Sequence, residues 1–355
     1  MISDIFAASA RARRRWYTRR PYTRRGLARP VVSVGNLSLG GTGKTPTVAH
    51  LARRLVTWGE RPAILTRGYG RVRPRDGVVV VREPDRVVGK LDESGDEPLM
   101  LALDTDGVAV LVSKDRYLAG CLAERTFDCT VHLLDDGFQH LALARDIDLL
   151  IVTEADLSDR TLPAGRLREP LDTIAAADAV LLDGVRPHFF EERKSSLMPH
   201  GDLHSSKKWG LTPFELLRRT LPAKLLGSDE TIEPTAGPVL VVAGIAHPER
   251  VAASAKEAGW TVADALYFDD HHPYARAEVD AIVARARAAG ARALLTTAKD
   301  AVRLAPHEPI ALPVIVLPLE VAIEPDGEFD AWLRGRLAEA RLRSPSRFDA
   351  AEARP

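Results

Sequence analysis

Gly40-Gly41-Thr42-Gly43-Lys44-Thr45 has the residue types and order of a cradle for nucleotide phosphates. Glycines let backbone N–H groups turn inward, and the start of a following helix adds partial positive charge. Lys44 would then reach the β- and γ-phosphates, while Thr45 would offer its hydroxyl to Mg²⁺. Pro46 is compatible with a first helical turn, where no N–H partner is lost. The usual pattern has a further glycine five residues before Gly43, and here that position is Ser38. The plainer alternative is a glycine-rich turn with an incidental lysine.

A second pattern is Val131-His132-Leu133-Leu134-Asp135-Asp136-Gly137, an apolar run tipped with two acids. A carboxylate at a strand end is how many nucleotide sites make a second contact to Mg²⁺, and two adjacent acids imply a shared cation or separate roles. An acidic turn closing a strand is the bland reading. Gln139 and His140 continue the same loop. In Gly95-Asp96-Glu97-Pro98, proline suits a first helical position, so the acids could be caps. Asp96 could instead be the base that takes a proton from an acceptor hydroxyl. It would need a histidine partner, and His271 in Phe268-Asp269-Asp270-His271-His272 is the candidate. Arg67, Arg116, Arg166 and Arg168 each follow a strand candidate. Singly each reads as a surface charge; jointly, at one sheet edge, they point to an anion-rich ligand.

The elements needed to position these groups are legible. Strand candidates are 31–34, 63–66, 78–81, 108–112, 129–134 and 147–152, with helix candidates at 43–58, 97–104, 114–125 and 172–177. Apolar runs without alternation, separated by helices, predict an α/β fold with a mostly parallel sheet. Residues 185–236 break this rhythm. A second alternating unit follows: strand 238–243, helix 248–258, strand 264–268, helix 275–288, then strands 292–297 and 313–317. This gives an expected division into an arm (1–30), a nucleotide-binding domain (31–210), a linker (211–237), a smaller α/β domain (238–318), a C-terminal helix packing back on the first domain (319–343) and a disordered tail (344–355).

Apolar residues make up 45% and charged residues 28% of the 355, enough material for a real core. No apolar run approaches the roughly 20 residues that span a bilayer, and the N-terminus lacks a secretory pattern. Two cysteines, Cys121 and Cys129, make neither a disulfide framework nor a zinc set. Lys+Arg and Asp+Glu both total 49, but residues 1–30 hold nine arginines and one acid, Asp4. With Phe6, Trp16, Tyr17 and Tyr22 interleaved, this arm suits an anionic lipid surface, a nucleic acid, or no partner.

Taken together, Gly35-Asn36-Leu37-Ser38-Leu39 leading into the glycine run, Thr66-Arg67-Gly68-Tyr69-Gly70, Gly95-Asp96-Glu97-Pro98, Asp135-Asp136-Gly137-Phe138-Gln139-His140, Leu162-Pro163-Ala164-Gly165 and Asp270-His271 resemble, in that order, the tetraacyldisaccharide 4'-kinases, the lipid A kinases. Ala243-Gly244-Ile245-Ala246-His247-Pro248 and Thr296-Thr297-Ala298-Lys299-Asp300 are similar to later landmarks of that family. The resemblance spans about Val31 to Leu304. It implies two α/β/α sandwich domains, the first phosphate-loop NTPase-like, joined by a β linker. It implies transfer of the ATP γ-phosphate to the 4'-hydroxyl of a tetraacylated glucosamine disaccharide 1-phosphate, at the cytoplasmic face of an inner membrane. By resemblance Asp96 is the base and His271 its dyad partner. Lys44 and Thr45 serve phosphate and Mg²⁺; Glu97, Asp135 and Asp136 surround the cation; Arg67, Arg116, Gln139, His140, Arg168 and Glu169 lie on the phosphate or substrate side. The arm departs from the family's apolar start, so attachment through lipid charge is expected. We expect a monomer and no nucleic-acid partner.

Two other classes fit parts of this pattern. A nucleotide-driven switch or chaperone would bind a partner through the arm, but Thr297-Ala298-Lys299-Asp300 has the wrong spacing for a guanine reader. An arginine-driven nucleic-acid ATPase would show salt-sensitive RNA binding.

Overall fold

A computed structural model describes residues 2–185, Phe190 and 211–343. The tail 344–355 and most of the 185–210 break lie outside the described residues. Among the described residues the strands form two sheets. The first holds ten strands, in the order β15-β9-β8-β7-β1-β6-β2-β5-β3-β4: β1 (Val31–Asn36), β2 (Pro62–Thr66), β3 (Val79–Glu83), β4 (Arg86–Val87), β5 (Ala109–Val112), β6 (Val131–Asp135), β7 (Ile147–Thr153), β8 (Ala179–Asp183), β9 (Thr212–Thr220) and β15 (Leu319–Glu324). Strands β5-β2-β6-β1-β7-β8-β9 run parallel; β3, β4 and β15 join antiparallel.

β1 is buried along its whole length because helices cover both faces of this sheet. Between its strands the chain forms α2 (Lys44–Thr57), α3 (Leu91–Ser94), α4 (Asp96–Asp104) and α5 (Arg116–Phe127). The chain passes from β1 outward to β2, then returns through β6 to β7 on the other side of β1. β1 is therefore the reversal point of strand order, where ligands settle at carboxyl ends in α/β sheets.

The second sheet has order β10-β14-β13-β11-β12, formed by β10 (Lys224–Leu225), β11 (Val239–Ala243), β12 (Val262–Tyr267), β13 (Ala293–Thr297) and β14 (Val314–Leu317). It packs with α6 (Glu249–Glu257), α7 (Arg276–Ala288) and α8 (Ala298–Leu304), with an apolar cluster on each face.

The structure differs from the sequence reading at three places. Residues 211–237, read as a linker, contain β9, whose Phe214 and Leu216 lie in the core of the ten-stranded sheet. Pro213 and the charged residues of this stretch mask its alternation. Within the expected C-terminal helix, Leu319–Glu324 is instead β15, paired with β9. The helix proper, α9 (Asp326–Arg343), sets Phe329, Leu333 and Leu337 against the first sheet. Residues 172–177, read as a helix, are a six-residue 3₁₀ segment, Leu171–Ala176, longer than most runs of that tighter winding.

The arm forms α1 (Ile2–Arg19), and one face is docked on the body. Ala7 is buried, and the Thr161 hydroxyl donates to the Ser3 carbonyl at 3.0 Å. Arg11 bonds Asp172 at 2.8 Å, and Arg25, just beyond the helix, holds Asp115 through both its terminal nitrogens.

Candidate active site

The phosphate loop leaves the carboxyl end of β1 and enters α2. Gly43 precedes the helix at φ 82° and Gly40 sits at φ 111°, left-handed conformations that disfavour side chains. Ser38 is not among the positive-φ residues, so its turn does not require glycine. The Asn36 amide holds the Ser38 carbonyl at 2.9 Å. Lys44 donates to Asn36 Oδ1 at 3.1 Å and lies 3.6 Å from Asp136. Thr45 is in the first turn of α2. A Cβ added at Gly43 would stand 3.3 Å from the Arg218 guanidinium, which pairs with Asp183 and brings a further cation to the loop. Asn36 and Arg218 were missed from sequence. Only the fold brings them there.

β6 delivers the two acids into different environments. Asp135 ends the strand, where Thr66 donates to its Oδ2 at 3.2 Å. Its Oδ1 is buried and has no hydrogen-bond partner among the described residues. Burial, reinforced by the charges of Glu97 and Asp136, pushes this carboxyl up to about 7. Asp136, at φ 51°, receives two hydrogen bonds from Arg168 at 2.8 Å each. Burial opposes its ionisation, but Arg168 and Lys44 outweigh burial and hold it at about 2. Arg168 also binds the Asn36 side chain, and Gln139 donates to the Asn36 carbonyl at 3.0 Å.

Among the described residues, no three His, Cys, Asp or Glu side chains converge as a metal cage. Mg²⁺ does not need one, since it commonly takes one or two carboxylates with substrate phosphates and water. The unpartnered, buried Oδ1 of Asp135, in the field of the Glu97 and Asp136 charges, fits such an ion.

Asp96 begins α4, after Gly95 at φ 89°. Its carboxylate lies 2.9 and 3.0 Å from Nδ1 of His271. His271 belongs to the turn after β12, so this pair joins the two sheets. Burial alone would raise Asp96; the His271 hydrogen bond and the charges of Lys299 and Arg303 hold it below the usual carboxylate range. The same hydrogen bond raises His271 above its ordinary value, against burial and Lys299. Lys299 touches Glu97, Asp270 and His271, each at 3.0 Å. Arg303 lies 3.5 Å from Asp96 and is anchored at 2.8 Å by Asp300, which also accepts from the Tyr274 hydroxyl at 2.9 Å. Sequence reasoning missed Lys299 and Arg303 as site residues; the only trace was the Thr-Thr-Ala-Lys-Asp string.

The remaining sequence-derived residues divide. Arg116 is buried, and desolvation lowers its pKa against the pull of Asp135 and Asp136; its Nε has no partner among the described residues. Burial and the Arg116 charge push His140 down to about 4, so its ring is neutral near pH 7. Arg67 donates to the Tyr69 hydroxyl at 2.9 Å. Arg166 pairs with Asp159 at 3.0 Å. Glu169 is held by the arm: Arg14 contacts its two oxygens at 2.8 and 2.9 Å. Arg14 also lies 4.2 Å from the centre of the Phe138 ring.

A glycine-rich loop at the reversal point of a parallel sheet, beside a strand tipped with acids, defines a phosphate-loop α/β protein of the nucleotide-dependent class. The family model for tetraacyldisaccharide-1-P 4'-kinase matches residues 1–338. A tetraacyldisaccharide 4'-kinase of Geobacter sulfurreducens is 38% identical over 323 residues, covering 89% of this chain and 86% of the relative. One from Geobacter metallireducens is 39% identical over 312 residues, covering 86% of this chain and 88% of the relative. The crystal structure of LpxK from Aquifex aeolicus in complex with ATP superposes with a TM-score of 0.74 at 30% identity, over 95% of this chain and 97% of that one. The chain belongs to the tetraacyldisaccharide-1-P 4'-kinase family.

Proposed function

We propose that this protein transfers the γ-phosphate of ATP to the 4'-hydroxyl of a tetraacylated glucosamine disaccharide 1-phosphate. The observation that carries the reading is the Asp96–His271 pair, made between the two sheets and joined through Glu97, Lys299 and the acids to the phosphate loop. In this reading the loop from Gly40 to Thr45 holds the triphosphate, and Lys44 with Arg168 and Arg116 neutralises charge that spreads over the transferred group. Asp96, oriented by His271, takes the acceptor's proton. Phosphoryl transfer depends chiefly on positioning and electrostatics, so each group acts through its placement. Thr45 and Asp135 are the groups that would hold Mg²⁺, with Asp136 and Glu97 beside them; when bound, the ion neutralises the β- and γ-phosphate oxygens. Arg67, Gln139 and His140 line the phosphate side.

We take the two sheets as two domains with the site in the cleft between them. A base completed only by contact between them would favour transfer over hydrolysis, because closure excludes water.

We place the protein peripherally at the cytoplasmic face of the inner membrane, as a monomer. Among the described residues no helix is long and apolar enough to cross a membrane. The undocked face of α1 exposes Ile2, Ile5, Phe6 and Trp16, while Arg15 and Arg19 are also exposed, a composition suited to an anionic lipid surface.

A switch that reads a base through Lys299-Asp300 is disfavoured by two contacts: Lys299 is engaged by Glu97 and Asp270, and Asp300 is wholly buried. The test is incubation of the pure protein with γ-labelled ATP and the disaccharide precursor. Label in the lipid supports the kinase; label only in free phosphate refutes it.

A further inference from the structure

We infer that Lys299 is a positioning residue, whose ammonium ties α8 to α4 and fixes the ring proton of His271 on Nδ1, facing Asp96. An ammonium group has three N–H donors and no acceptor. Three groups surround this one at 3.0 Å each: the carboxylate oxygens Glu97 Oε1 and Asp270 Oδ1, and the ring nitrogen Nε2 of His271. Its side chain is only 13% exposed. Burying a lysine is costly unless it is paired, and here two carboxylates compensate.

The geometry dictates the tautomer. A ring nitrogen that accepts from an ammonium carries no proton, so the proton of the neutral ring sits on Nδ1. There it can donate to Asp96, 2.9 Å away. With the opposite tautomer, the lone pair of Nδ1 would face a carboxylate and the pair would separate. Lys299 thus acts on the orientation of the Asp96 pair through His271. Glu97 and Lys299 each occupy the second position of their helices, α4 and α8, so the same contact closes one sheet's edge on the other. An isolated ion pair between the two units would need one acceptor; the third hydrogen bond, to the ring, ties closure to the orientation of the base.

The kinetic consequence rests on the kinase reading, but the tautomer does not. In ligand-free, ¹⁵N-labelled protein in alkaline buffer, long-range ¹H–¹⁵N spectra report which ring nitrogen carries the proton. The His271 signal is identified by its loss in His271→Asn. The expected wild-type result is Nδ1–H; Nε2–H in the wild type would overturn the proposal without any variant of Lys299. In Lys299→Met the ring is expected to shift toward Nε2–H. With it, kcat falls on the order of 100-fold while the KM for ATP stays within about threefold. Lys299→Arg, which keeps the charge, is expected to recover part of kcat. A loss of kcat in Lys299→Met with the tautomer unchanged would show a merely structural contact and reject the proposal. Failure of wild-type transfer would refute the kinase reading while leaving the spectrum readable.

Discussion

Asp135 and Asp136 are neighbours in the chain whose pKa values move in opposite directions, because one is buried in the field of other acids and the other is clasped by Arg168. A carboxyl raised from 3.8 to about 7 stabilises the fold fully below its unfolded value. That contribution is lost as pH rises through about 7. A cation beside Asp135 would relieve the loss. Thermal unfolding should therefore show a larger Mg²⁺-induced rise in Tm above about pH 7 than below about pH 6. An equal rise at both would place the ion elsewhere. At this scale the sequence exposes residues whose type is itself the signal: Lys44 after glycines, paired acids at a strand end. It conceals Asn36, Arg218, Lys299 and Arg303, whose importance lies in what tertiary folding sets beside them.

α1 is the element whose role the sequence left most open. Its arginines read as a charge for an external surface, yet Arg11 and Arg14 are turned onto the body. The Arg14–Glu169 pair is largely buried, at 12% and 5% side-chain exposure. Arg14 also donates to the Phe138 carbonyl at 3.2 Å, on the loop that follows Asp136. Removing one member of such a pair leaves a buried charge uncompensated. Arg14→Ala should cost about 3 kcal/mol in urea unfolding with an unchanged m value. A cost below about 0.5 kcal/mol would make the helix a loose tether. The elements of the parallel core were legible because unbroken apolar runs such as Val31–Val34 need cover on both faces. β8, β9 and β15 were not assigned. β8 is as apolar as its neighbours but lies at the start of the break in the pattern. β9 alternates around a proline, and β15 pairs only with that distant strand.

At the scale of the molecule, the chain crosses from the ten-stranded sheet to the five-stranded sheet after β9 and returns at β15. Two sheets could be inferred from two alternating patterns. The return could not, since antiparallel pairing between segments a hundred residues apart leaves no local mark. The consequence is that the phosphate loop and Asp96 belong to one sheet and His271 to the other. The central claim is that chemistry requires a base assembled from both. Single-turnover transfer from γ-labelled ATP to the disaccharide, compared between wild type and Asp96→Asn, tests it most directly. The account predicts that the variant binds ATP within about threefold of wild type and transfers label on the order of 100-fold or more slowly. Transfer by folded Asp96→Asn at the wild-type rate would contradict it.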